Sequence, residues 1–298
     1  MEENVVNTTV NTNFTGSVLD TFNHIFRTVF LSIDDTIYSL LDELAFIKEN
    51  ILENDLFEKL IDKTSGILLI CNALILGVII FYSINYLFSH LFISKIDSPS
   101  QFIFKLIVFT IVMNSSFWIC EQIINIVSII TEIIQDIGKS LFSEDITFSN
   151  FLQQINSKLY SGEFEITMTS FDGIIKSFIS VSFVNLAFSY SLRYVMVQVF
   201  VIISPFAFLC LINNKTEWFF KVWIKTFLSF ILEQILIIFI LLIAFSLDGL
   251  KNDISKILYI GIMYALMKTN NYMYMMFGGI STTVQQSINN MKMFNGKL

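Results

Sequence analysis

An all-α integral membrane protein is the fold class this sequence predicts, and three observations predict it. Apolar residues make up 54% of the 298-residue chain and charged residues only 14%, a balance beyond that of an ordinary soluble domain. Uncharged runs recur at membrane-spanning length; Tyr194 to Ile212 is nineteen residues without a charge. Ile174 to Ile212 is apolar for 39 residues, broken by Lys176 and Arg193 but by no Gly, and by Pro205 only near its end. About five transmembrane helices are expected, six in the alternative, with one long helix near 174–212 and amphipathic surface helices. The implied organisation is an amphipathic amino-terminal region at 1–65, a transmembrane bundle at 66–277 with a polar insertion at 143–173, and a tail at 278–298.

The amino-terminal region holds the whole of the acidic excess behind the formal charge of −7. Its first 16 residues carry no periodic pattern. From Leu19 through Phe22, Phe26, Val29, Ile33, Ile37, Leu40, Leu44, Ile47 and Ile51, apolar residues recur every three or four positions. That spacing predicts one amphipathic helix or a pair, lying on the bilayer or the bundle or docking another subunit. Asp55 followed by Glu58 resembles a capping box. The start lacks the basic flank and apolar core of a signal peptide, so insertion is expected to begin from an internal span.

Gly66 to Phe92 is the first expected span. The second runs from Phe102 to Val127 and continues as an amphipathic helix to about Phe142, because Ile130, Ile133, Ile134, Ile137 and Leu141 extend its stripe. Within the polar insertion, Phe151 to Tyr160 reads as a short helix. Glu163 to Thr169 alternates polar and apolar residues, a strand pattern that needs a partner. Ile174 to Ile212 then offers two solutions. A hairpin at Arg193 gives six spans; a continuous helix, about 58 Å long, gives five. Ser189 to Arg193 contains no breaker residue, which favours the long helix. Val222 to Leu247 is the next span. The last, Ile254 to Met267, must extend through Lys268, Asn270 and Asn271 to Phe277 or stop as a half-helix; Gly278-Gly279 reads as its end.

Basic residues set the expected orientation. With five spans and the amino terminus outside, Lys95, Lys105, Lys215, Lys221, Lys225, Lys268, Lys292 and Lys297 all fall on the cytoplasmic side of the cell membrane, and the carboxyl terminus lies inside. The turn carrying Lys215, Lys221 and Lys225 is the clearest of these basic segments.

Nothing in the sequence predicts catalysis: no nucleophile with a base, no phosphate-cradling glycine loop and no metal-spaced cluster is present. Cys71, Cys120 and Cys210 are far apart in apolar runs and read as packing residues, and His24 and His90 are isolated. No cofactor or metal is expected. The candidates for function are polar groups inside the membrane, which are costly there. These are Asn114, Ser115, Ser116, Glu121, Arg193, Gln198, Glu233 and Gln234. By depth, Glu233 and Gln234 could share a seam with Asn114, Ser115 and Ser116, while Glu121 could pair with Arg193. The bland role for each is an interhelical tie; the sharper one is a pore lining or an ion sensor. Pro205 is expected to kink its helix.

Leu192-Arg193-Tyr194-Val195, Ile203 to Phe208, the turn with Trp218-Phe219-Phe220-Lys221 and Trp223-Ile224-Lys225, and Phe277 to Thr282 occur in an order that resembles the TrbL-type polytopic membrane subunits of conjugative type IV secretion systems of Gram-positive bacteria. The resemblance covers roughly residues 174 to 285. It implies a translocation-channel component that works in an oligomeric complex with a bitopic scaffold protein and a cytoplasmic ATPase, makes transient contact with transferred DNA and has no catalytic residues. The competing expectations are a small ion or solute transporter and a permease driven by a separate ATPase that docks on the basic turn.

Overall fold

The computed structural model describes residues 40–52, 66–92, 98–160, 171–247 and 253–277, with scattered positions between 17 and 60. Among the described residues every regular element is helical. A helical segment at 40–45 leads into a 3-10 turn, Glu49–Leu52, followed by α1 (Ile67–Phe92), α2 (Pro99–Asn114), α3 (Ser116–Phe142) and α4 (Phe148–Tyr160). Then come α5 (Phe171–Leu209) with a 3-10 extension at Cys210–Ile212, α6 (Glu217–Ser246) and α7 (Asp253–Phe277).

Among the described residues, four segments are long and apolar enough to cross a membrane: Ile67–Phe88, Ser116–Phe142, Gly173–Ile212 and Glu217–Ser246. The chain is therefore an all-α, multi-pass membrane protein. Pro99–Asn114 is apolar but shorter. The expected last span forms as α7, a helix reaching Phe277, but it is not one of the four because Lys268, Asn270 and Asn271 dilute its apolar run. The strand pattern at 163–169, the 55/58 capping box, most of the 19–39 stripe, Gly278-Gly279 and the tail at 278–298 lie outside the described residues.

The helices follow from local chemistry. Pro99 opens α2 at the first helical position, where a missing N–H costs nothing, and the Gln101 side chain accepts from the Ser98 N–H at 3.4 Å. The expected single helix from Phe102 to Phe142 instead breaks at Ser115, whose backbone leaves the helical region at φ −96°, ψ 4°. Asn114, Ser115 and Ser116 are three short polar side chains in succession, and such groups compete with the backbone ladder. Asn114 does so directly, its amide donating back to the Thr110 carbonyl at 2.9 Å. In contrast, α5 runs unbroken through Arg193, so the hairpin there does not form. Pro205 lies inside α5, and after Leu209 the helix tightens into its 3-10 extension.

The chain divides into two compact units, and α3, α5, α6 and α7 each contribute residues to both. In the first (1–45, 134–190, 237–268), Leu41, Phe148, Phe151, Phe183, Tyr190, Phe245 and Tyr259 are buried. The Phe151 ring packs against Phe245 and Tyr259 with centroids 6.4 and 5.9 Å apart. Asp42 caps α4 from a distant point in the chain. Its carboxylate accepts from the Phe148 N–H at 2.6 Å, the Ser149 N–H at 3.2 Å and the Ser149 hydroxyl at 2.6 Å. In the second unit (46–133, 191–236, 269–298), the core joins Cys71, Met113, Cys120, Ile124, Val197, Val201, Phe208, Trp223, Phe227 and Phe230.

Gly138 lies in close packing in the first unit. A β-carbon there would sit 2.5 Å from Ile146 Cγ1 and 2.6 Å from Leu242 Cδ2, whereas one on Gly77 of α1 would meet nothing within 4 Å. Gly138→Ala is therefore expected to cost about 1–3 kcal/mol through overpacking, read as a lowered unfolding midpoint of the detergent-solubilised protein, while Gly77→Ala leaves the midpoint unchanged or raises it. Asp42→Ala is expected to cost about 1–2 kcal/mol by uncapping α4, with faster amide exchange at Phe148 and Ser149 as the local signature; protection unchanged at those amides would refute the cap.

Candidate functional site

The polar groups that sequence reasoning singled out fall mainly in the second unit, and the structure places each of them. On α5, the inward face carries Arg193, Val197, Val201, Ser204 and Phe208, spaced four, four, three and four residues apart, all buried. Arg193 occupies a core position of a stripe that is apolar apart from itself and Ser204. On α6 the corresponding face carries Trp223, Phe227, Phe230, Glu233 and Gln234, also buried. The two faces are tied near α6's start as well, where the Trp223 indole N–H donates to the Phe200 carbonyl at 3.0 Å.

Arg193 and Glu233 form an ion pair with Nη1 to Oε2 at 3.9 Å, their side chains 1% and 2% exposed. That separation is longer than a direct hydrogen bond, so the attraction is chiefly coulombic, in surroundings that screen it weakly. The other carboxylate oxygen accepts from the Thr269 hydroxyl of α7 at 3.2 Å. One carboxylate thus joins three helices. The expected partnership of Arg193 with Glu121 is replaced by this one. Glu121 is only half-buried, next to Cys120, whose side chain is the one that faces the core. Depth alone put Glu121 and Arg193 at one level; helix rotation decides which carboxylate faces inward.

Gln234, adjacent to Glu233, works on a different segment. Its Oε1 accepts from the Ile47 backbone N–H at 2.9 Å in a fully buried contact. Gln198 of α5 donates from Nε2 to the Ile51 carbonyl at 3.0 Å. The amphipathic stripe expected to run as helix to Ile51 bends at Phe46 and gives way to the 3-10 turn Glu49–Leu52. The physical reason is visible in these two bonds: side chains from the spans satisfy backbone groups that a helix would otherwise pair.

Asn114 does not join Glu233 and Gln234 in a common seam. It forms a reciprocal amide pair with Asn72 of α1, both N–H···O distances being 3.2 Å, beside the α2–α3 break. Ser115 is the break itself, half-buried, and Ser116 is fully buried on the first turn of α3. Lys215, Lys221 and Lys225 are exposed, and Lys221 pairs with Glu217 at 2.9 Å one helical turn away. Among the described residues no cluster of His, Cys, Asp and Glu is arranged to hold a metal.

No family model, curated protein or solved structure matches the chain.

Chemically, this arrangement is a set of ties. A buried carboxylate neutralised by a guanidinium and hydrogen-bonded by a hydroxyl holds α5, α6 and α7 together, and two glutamines hold a strap at 46–52 that is not α-helical. Sequence reasoning missed Thr269, Asn72 and the backbone of Ile47 and Ile51. Thr269 stood in the polar run Lys268 to Asn271, which reads only as a penalty on span length; the other groups give no signal, because an amide pair and a backbone acceptor depend on packing.

Removing one member of the ion pair leaves the other charged and buried. Arg193→Met and Glu233→Leu are each expected to destabilise the protein by about 3–5 kcal/mol, and the double substitution by much less than their sum. Unfolding of the four proteins in one detergent checks this, and strictly additive losses would mean that the two groups do not interact.

Proposed function

We propose that this chain is a membrane channel or scaffold component of a conjugative type IV secretion system, a TrbL-type subunit that helps move DNA and protein across the cell membrane. Its work in this reading is bracing: the helices line or support a path, and the extramembrane segments join neighbouring subunits, among them a bitopic scaffold protein and a cytoplasmic ATPase. The amino terminus faces outward and the carboxyl terminus inward. The motifs in order from Leu192 to Thr282 support the class of complex.

The observation that supports bracing over transport is the enclosure of the charged residues. Arg193 and Glu233 are fully buried and joined to each other, and Glu233 is also joined to Thr269. A solute site would present such groups to a water-filled cavity. Here they fix helix register instead.

Glu233→Gln separates this reading from an ion or solute transporter or an ATPase-driven permease. Donor cells lacking the gene and complemented with the variant are expected to lose conjugative transfer at least tenfold, with pulldown of fewer secretion partners, while vesicles containing the wild-type protein carry no proton or solute flux. Flux in wild-type vesicles that Glu233→Gln abolishes would replace the proposal with a transporter, and transfer that does not require the gene at all would remove the protein from conjugation.

A further inference from the structure

The turn between α5 and α6 brings together basic residues that lie far apart in sequence. Lys105 of α2 donates from Nζ to the Asn214 side chain at 3.1 Å, a contact across 109 positions. Hydrogen bonds tie the turn together. Asn213 accepts from the Lys215 N–H through its side chain at 2.9 Å, and the Thr216 hydroxyl donates to the Cys210 carbonyl at 2.8 Å and the Asn213 carbonyl at 3.0 Å. Lys215 projects from this turn, and Lys221 and Lys225 follow one helical turn apart on α6. Among the described residues of the turn and its flanks, the carboxylate that opposes the four ammonium groups is that of Glu217, which is paired with Lys221. Among the described residues neither Lys215 nor Lys225 has an ion-pair partner.

Their setting decides what kind of anion they meet. The segments on either side of the turn, Gly173–Ile212 and Glu217–Ser246, are both long and apolar enough to span a membrane, so the turn between them lies where one span leaves the bilayer and the next enters. Large apolar side chains stand exposed beside the lysines: Phe104 next to Lys105 is 70% exposed, and Trp218, one turn before Lys221, is 63% exposed. Exposed aromatic rings bordering cations at a span boundary match acyl chains below and headgroups above. A soluble anionic partner would meet the lysines but leave those rings uncovered.

We propose that Lys215 and Lys225, on the turn held by the Lys105–Asn214 contact and bordered by Phe104 and Trp218, bind the phosphate headgroup of an anionic phospholipid. Lys105 acts as the positioning residue that orders the turn, and Lys221 is held by Glu217. This inference stands apart from the secretion reading and holds for any complex the protein enters.

The test uses the full-length protein released from mixed micelles of dioleoylphosphatidylglycerol and dioleoylphosphatidylcholine into native mass spectrometry. Wild-type protein is expected to retain phosphatidylglycerol preferentially. Lys215→Gln and Lys225→Gln should each lower that retention about fivefold, and the pair about 25-fold, while Lys59→Gln, an exposed lysine elsewhere in the chain, leaves it unchanged. Trp218→Ala should weaken retention of either lipid without removing the preference. Equal retention of the two lipids by the wild type, or full retention by the double variant, overturns the proposal. So does displacement of phosphatidylglycerol by glycerol phosphate, which would mark a free-phosphate site, or by a short single-stranded oligonucleotide, which would mark a nucleic-acid surface. Monodisperse elution of each variant from size exclusion separates loss of binding from loss of fold.

Discussion

A guanidinium buried among apolar side chains constrains the second unit more than any other single group. Removing the Arg193 charge from water without compensation would cost several kcal/mol, a large share of the stability of a typical protein. The compensation comes from Glu233, and the position of that carboxylate sets much else. Glu233 fixes the rotation of α6 against α5, and its second oxygen draws in Thr269 of α7. Gln234, one residue on, is thereby aimed at Ile47, so that the strap at 46–52 is held by a side chain whose direction the ion pair has already chosen. Gln198, five residues beyond Arg193 on α5, closes the same strap at Ile51. One charge placed in the core thus organises three α-helices and the strap at 46–52.

The architecture was legible in the sequence wherever length and composition decide structure. Hydrophobic runs located α1, α5 and α6, and the absence of Gly, Pro or a loop-forming cluster around Arg193 pointed to the unbroken α5. The cases that escaped are those in which a side chain competes with the backbone. The Asn114-Ser115-Ser116 run was recognised as polar, yet its capacity to end one helix and begin another depends on Asn114 reaching both Thr110 and Asn72, and the second partner is set by packing. The strap at 46–52 retains a helical apolar period, since Ile47 and Ile51 are both buried, but its backbone finds partners on other elements and leaves the helix. Periodicity reports which side chains are inside; it does not report who satisfies the main chain.

The candidate residues were legible to a similar extent. Intramembrane polarity picked out Arg193, Gln198, Glu233 and Gln234, all of which make long-range contacts in the second unit. The pairing was not legible, because a helical residue's depth can be counted from a boundary while its azimuth depends on which neighbours the helix meets. Glu121 matched Arg193 in depth and missed it in rotation. Asp42 was overlooked for a related reason: within an acidic amphipathic stretch it resembles any solvated carboxylate, and only the approach of the α4 start makes it a cap.

These contacts also bear on how the protein can work. A transporter that alternates access must let one group of helices move against another, which requires ties between them that break and re-form at small cost. In the second unit a rotation of α6 against α5 would separate Arg193 from Glu233, pull Glu233 from Thr269 and disengage Gln234 from Ile47 together. Each loss would leave a buried polar group without its partner, and the ion pair alone accounts for several kcal/mol of that cost. An arrangement in which the charged and amide side chains of the spans are committed to mutual support resists such motion. It would suit a subunit that holds a fixed set of helices in place, which is the physical basis of the proposed bracing role.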